Sequence, residues 1–199
     1  MALGMVPQGM RQFLLLHPFA LSEGTRGIPN DQVPTVEEVE EQFQRILRMS
    51  DERRHPETLV KELGILAHKV QLLSDPSALR GVTPLREHFE AYADELTPHL
   101  VITSEPCWAA KGPIDLRGPL LQTAKTKFQR YTALSSQFDE STRQRIGSWD
   151  LRSLPFAQLQ LAFSDGVNAT ANLWILAWRA SGDLWVSPGN SHPSFSSID

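Results

Sequence analysis

Apolar residues recur along the chain at helical spacing, and no stretch alternates as a half-buried strand would. From residue 35 onward Val36, Val39, Phe43, Ile46 and Leu47 fall on one face of a helix. Thr35 and Glu38 stand three apart, the spacing of a capping box at that helix's start. A second helix begins near Pro56, with Leu59, Leu63, Leu66, Val70 and Leu73 in one stripe and Ile65 and Leu72 on another side. A helix apolar on most of its circumference belongs at the centre of a bundle. Asp75-Pro76 ends it, because the residue before proline is driven out of helical geometry.

A third helix follows Thr83-Pro84, carries Leu85, Phe89, Tyr92 and Leu96, and stops near Thr97-Pro98. The fourth runs from about Pro119 to Ser136, with Leu120, Ala124, Phe128, Tyr131 and Leu134 aligned. A short helical turn is expected between Asp139 and Ile146. The last helix starts at Pro155 and extends to Ser181, with Phe156, Leu159, Phe163, Val167, Leu173, Trp174, Ala177 and Trp178 as its apolar positions. Gly166 within it marks a close helix contact or a bend. Gly182 supplies a stop.

Breakers divide the rest. Residues 1–34 contain Gly4, Pro7, Gly9, Pro18, Gly24, Gly27, Pro29 and Pro34, and read as an extended arm with turns, pinned by Phe13, Leu14, Leu16 and Phe19. Residues 99–118 read as a long loop. The segment 186–199 is rich in Ser, Pro and Gly and reads as a flexible tail. The expected architecture is all-α: one helical bundle of about five main helices over residues 35–185.

Composition narrows the classes. With 199 residues the chain can bury a core without staples. Net charge is -4 and the Lys and Arg residues are scattered, which argues against binding duplex nucleic acid. Cys107 is the single cysteine, so an internal disulfide and a multi-thiolate zinc site are excluded; it reads as a small packed residue. No apolar run approaches the roughly 20 residues of a membrane span. Arg11 with Phe13–Leu16 has a faint signal-peptide character, but His17-Pro18 breaks the run and no small-residue cleavage site follows. The acidic run of Glu37, Glu38, Glu40 and Glu41 reads as a solvated face favoured by the helix dipole. Asn168 opens a glycosylation sequon, but within a helix it reads as chance. Trp174 and Trp178 are four apart and read as core; with Trp185 the alternative is an aromatic binding platform. No nucleophile elbow, phosphate loop or dinucleotide fingerprint is present.

The stretch from Glu62 to Pro76, centred on His68, resembles the central helix of the zinc-dependent phospholipases C and their relatives, the fungal-type single-strand nucleases. In that family the helix carries His, Asp four residues on, a Pro and a further His, and a later helix carries another His with a carboxylate four residues after it. The resemblance implies a helical fold, a trinuclear zinc cluster that cleaves phosphoesters and a secreted or periplasmic setting; the sequence itself leaves the compartment and any partner open. His and carboxylate four apart share a helix face and can reach one ion.

Matched residue by residue, His68 takes the first His post and Glu90, in Phe89-Glu90-Ala91-Tyr92, takes the carboxylate post. Leu72, Ala78 and Arg86 stand where the Asp and two His should be. Arg86 repels a cation, and at four residues from Glu90 it can pair with it. The expectation is therefore a degenerate metal site in a domain that binds or supports structure, with no cofactor. The alternative is an active phosphoesterase with a reduced zinc site built from His68, Glu90, Asp75 and His17. A third reading is an unrelated helical interaction protein. His68 otherwise reads as a hydrogen-bonded core histidine, Asp75 as a helix-exit residue and His88 as exposed.

Overall fold

The structure, a computed structural model, describes residues 2–26, 32–52, 54–80, 82–103, 108 and 115–181. The expectations on Cys107, Gly182, Trp185 and the tail fall outside these residues. Among the described residues seven α-helices and one two-stranded hairpin occur: α1 (Gln8–Leu16), α2 (Pro18–Arg26), α3 (Val36–Asp51), α4 (Pro56–Ser74), α5 (Pro84–Leu96), α6 (Arg117–Ser135), β1 (Phe138–Asp139), β2 (Gln144–Arg145) and α7 (Leu154–Ser181). The protein is all-α in character. Short 3-10 turns cover Ala2–Gly4, Pro76–Arg80 and Thr97–His99.

Helix starts follow their local chemistry. The Thr35 hydroxyl accepts from the Glu38 amide at 3.2 Å, and the Glu38 carboxylate accepts from the Thr35 amide at 2.7 Å, closing a full capping box. Pro56 and Pro84 occupy first-turn positions, where a missing N–H costs nothing. The Thr83 hydroxyl caps α5 by accepting from the Arg86 amide.

The N-terminal arm is helical, not extended. Its breakers serve as helix starts and contact points. Pro7 precedes α1 and Pro18 opens α2. Gly9 lies under the Trp178 ring, where a Cβ would stand 3.3 Å from Cζ2. Gly24 meets α4 so closely that a Cβ there would collide with the Lys61 carbonyl, and a Cβ on Gly64 would collide with the Leu21 carbonyl. Two glycines face to face let the backbones of α2 and α4 touch. Of the four expected pins, Phe13 and Leu14 are buried, whereas Leu16 is 72% and Phe19 90% exposed.

α4 is the centre. Its residues Leu59, Val60, Leu63, Leu66, Ala67, Val70, Leu72 and Leu73 are all buried, and it packs on α2, α3, α6 and α7. The buried Glu62 carboxylate ties α4 to α3 by accepting from Gln42 at 2.7 Å and Arg45 at 2.9 Å. The Trp174 indole N–H donates to the Leu63 carbonyl at 3.1 Å, so its apolar body is buried with its polar edge satisfied. Trp178 packs against Phe13, 6.3 Å between ring centroids. Gly166 of α7 faces Ser74 of α4, a close contact of the kind its sequence position suggested.

The core has two parts. One joins α1, α3, α4 and the C-terminal half of α7; the other joins Leu85, Phe89 and Tyr92 of α5, Tyr131 and Leu134 of α6, Phe138, Trp149, and Leu159 of α7. The segment after α6 is a hairpin rather than a helical turn, with Phe138 opposite Arg145 and Asp139 opposite Gln144. Asp139 directs it: one carboxylate oxygen accepts from the Ser141 amide at 2.9 Å and its hydroxyl at 2.7 Å, turning the chain. Those donors hold its pKa below the usual carboxylate value. His88 is half-buried, its ring 5.2 Å from Phe138, rather than exposed.

On α6 the buried face is Leu120, Lys127, Arg130, Tyr131 and Leu134, and Phe128 is 60% exposed. Leu120, Tyr131 and Leu134 of the expected stripe are buried and Ala124 is half-buried; Phe128 departs from it, and Lys127 and Arg130 are buried with the partners described next.

Candidate functional site

Where α4 ends, α5 begins and α6 passes, four charged side chains meet: Asp75, Arg86, Glu90 and Lys127. Asp75 terminates α4 in extended geometry before Pro76. One of its oxygens accepts from the Ser77 amide at 2.8 Å and the Ser77 hydroxyl at 2.7 Å. This is the turn role the Ser74-Asp75-Pro76 sequence suggests.

Arg86 sits in the first turns of α5, 3% exposed, and its Nε donates to Glu90 Oε1 at 2.7 Å. The Glu90 side chain is 50% exposed. Arg86 Nη1 is buried and meets no hydrogen-bond acceptor among the described residues. Lys127 of α6 is 2% exposed and donates to the Leu72 carbonyl at 2.8 Å. That carbonyl lies in the last turn of α4, where a cation suits both the open acceptor and the helix dipole. Burial, with the charge of Arg86, pushes the Lys127 pKa down from 10.5 to about 8, and Asp75 opposes the shift. One turn on, Arg130 bridges to Asp165 of α7 at 2.7 Å.

A cavity of about 330 Å³ opens beside this group. Phe89, Ala93, Leu159, Ala162, Phe163 and Val167 make its apolar wall; Gln71, Ser77, Asp75 and Glu90 supply its polar atoms. Asp75 and Glu90 are the charged residues of the lining.

The candidate ligands therefore divide. Asp75 and Glu90 share this wall, while His68, half-buried on α4, is not part of it; nor are Leu72, Ala78 and Arg86. His17 lies at the α1–α2 corner, its ring 5.8 Å from Phe13 and its Nδ1 4.0 Å from Glu57. Among the described residues no three His, Cys, Asp or Glu side chains come together so as to hold an ion. Arg86 places fixed positive charge at a post where the resemblance calls for a metal ligand. The donor set does not fit a zinc cluster.

Asn168 is buried in α7 and its amide donates to the Thr103 carbonyl at 2.7 Å, so it serves the fold. Among the described residues no helix is long and apolar enough to cross a membrane. The residue missed at the sequence level is Lys127. Its signal was present: it lies seven residues from both Leu120 and Leu134, on the face they bury. Compared with family models, curated proteins and solved structures, the chain matches none.

Proposed function

We propose that this chain is a helical binding domain, similar in plan to the zinc-dependent phospholipases C and single-strand nucleases, in which the metal centre has given way to an apolar pocket for a small molecule. The observation that carries this reading is the Arg86–Glu90 pair. At the post where the resemblance calls for a histidine, a buried guanidinium engages the one matched carboxylate at 2.7 Å. A carboxylate so engaged is a poor ligand for a cation, and the guanidinium repels one. What remains is a concave, mostly apolar space with a few polar groups, the usual character of a small-molecule site.

The test has two arms. Zinc titrated into the purified full chain is followed by calorimetry and elemental analysis, with phosphodiester hydrolysis measured alongside. The expected result is no stoichiometric zinc and no chelator-sensitive hydrolysis. Bound zinc with an activity lost in His68→Ala would overturn the reading in favour of a reduced metal site containing His68, Glu90 and Asp75. In the second arm Nile red, a neutral apolar dye, is expected to brighten with the native chain and not with Ala93→Trp, which fills the cavity.

A further inference from the structure

We propose that a second groove, at the α1–α2 corner, is the seat of this chain's own segment Leu184-Trp185-Val186. The groove has a volume of about 730 Å³ and shares no lining residue with the cavity described above. Leu16, Phe19 and Arg26 line one side of it, and Glu57, Thr58 and Lys61 of α4 the other. Two ion pairs are made within the wall: Lys61 holds Glu23 at 3.2 Å, and Glu57 stands 4.0 Å from His17.

The open surface at this corner is apolar. Leu16 is 72% exposed, Phe19 90% and the neighbouring Leu15 57%. Contiguous apolar surface of this kind marks a contact site. α2 itself buries only Gly24. A helix of nine residues takes its stability from packing rather than from its own backbone, and an apolar cover supplies the packing α2 lacks.

The course of α7 names the occupant. Gly166 faces Ser74 and the Trp174 indole bonds the Leu63 carbonyl, so α7 runs antiparallel to α4 and brings its last turns towards the start of α4. There Trp178 packs 6.3 Å from the Phe13 ring, and Phe13 packs 5.8 Å from the ring of His17, which lines the groove. Residues 182–199 lie outside the described residues, and Leu184-Trp185-Val186 is their one run of consecutive apolar side chains. Trp185 stands four residues past Ser181, a reach of at most about 14 Å. The same segment of a second copy must be captured from solution, whereas this one is tethered beside the groove at an effective concentration of about millimolar.

Proton NMR of the full chain is expected to show nuclear Overhauser contacts from the Trp185 indole to the Phe19 ring and the Leu16 methyls. Light scattering of the same sample should show a monomer. Trp185→Ser should speed amide hydrogen exchange in α2 about tenfold and leave α5 unchanged. Phe19→Ser should do the same, and the two together should add little to either alone. If a variant fails to fold, the contacts in the native chain still decide. Absence of those contacts would overturn the proposal, as would unchanged exchange of α2 in both variants. Contacts that appear only as the chain dimerises at higher concentration would also overturn it, and would give the groove to the segment of a second copy.

Discussion

Arg86 and Glu90, one turn apart on α5, form an unequal pair: the guanidinium side chain is 4% exposed and the carboxylate it holds at 2.7 Å is 50% exposed. The buried member depends on the other, because Nη1 already lacks an acceptor among the described residues. Glu90→Gln should therefore destabilise the protein by about 1–2 kcal/mol, since a buried cation loses its counter-charge while water still reaches the site. Arg86→Met removes the buried charge as well and should cost less. Urea denaturation of both variants checks the order; a larger loss in Arg86→Met would contradict it.

Lys127 should make stability depend on pH above neutrality. Its folded pKa of about 8 lies below the ordinary value of 10.5, so between these values the unfolded chain binds more protons than the folded one. Stability contributed by this group therefore rises as pH climbs from about 8 towards 10.5, by a few kcal/mol at most. Lys127→Met should abolish that rise, as read by denaturation midpoints at pH 7.5 and 9.5. In Arg86→Met the lysine loses its repelling neighbour, and the rise should begin at higher pH.

Gly64→Ala should loosen α2 from α4. The added methyl meets the Leu21 carbonyl and stands 3.0 Å from the Gly24 Cα, so two backbones must part. Overpacking of this kind costs about 1–3 kcal/mol. The loss should be accompanied by faster proteolysis within α2 and unchanged hydrogen exchange in α5. Equal protection of α2 in both proteins would count against it.

Thr35→Ala should cost about 1 kcal/mol by opening the capping box, and Thr35→Ser should restore nearly all of it. Thermal unfolding of the two variants measures this. Because Glu37 and Glu40 also reach Arg117, at 2.6 and 3.1 Å, the start of α3 is held at a second point and should fray rather than unwind.

The main helices were legible because their signals are local. Thr35 with Glu38, Pro56, Asp75-Pro76 and Thr83-Pro84 each set a boundary through chemistry within one turn. The N-terminal helices were not, because Gly9 and Gly24 look like breakers until Trp178 and Gly64, distant in sequence, are seen against them. The burial of Lys127 beside an exposed Phe128 was hidden for a related reason: Phe128 is more apolar than Lys127, and the lysine is buried where the open carbonyl of Leu72 awaits it. At the candidate site the Arg86–Glu90 pair follows from spacing alone. The separation of His68 from Asp75 and Glu90 does not, since it depends on how α4, α5 and α7 cross.

α7 belongs to both parts of the core, Leu159 to one and Leu173, Trp174 and Leu176 to the other, and the cavity is walled by Phe89 and Leu159 of the first. Neither half can melt while the other persists without breaking this one helix, so the chain should unfold in a single cooperative transition. A molecule seated in the cavity leans on the part that holds Leu159, and α7 is the element that carries its effect to the other.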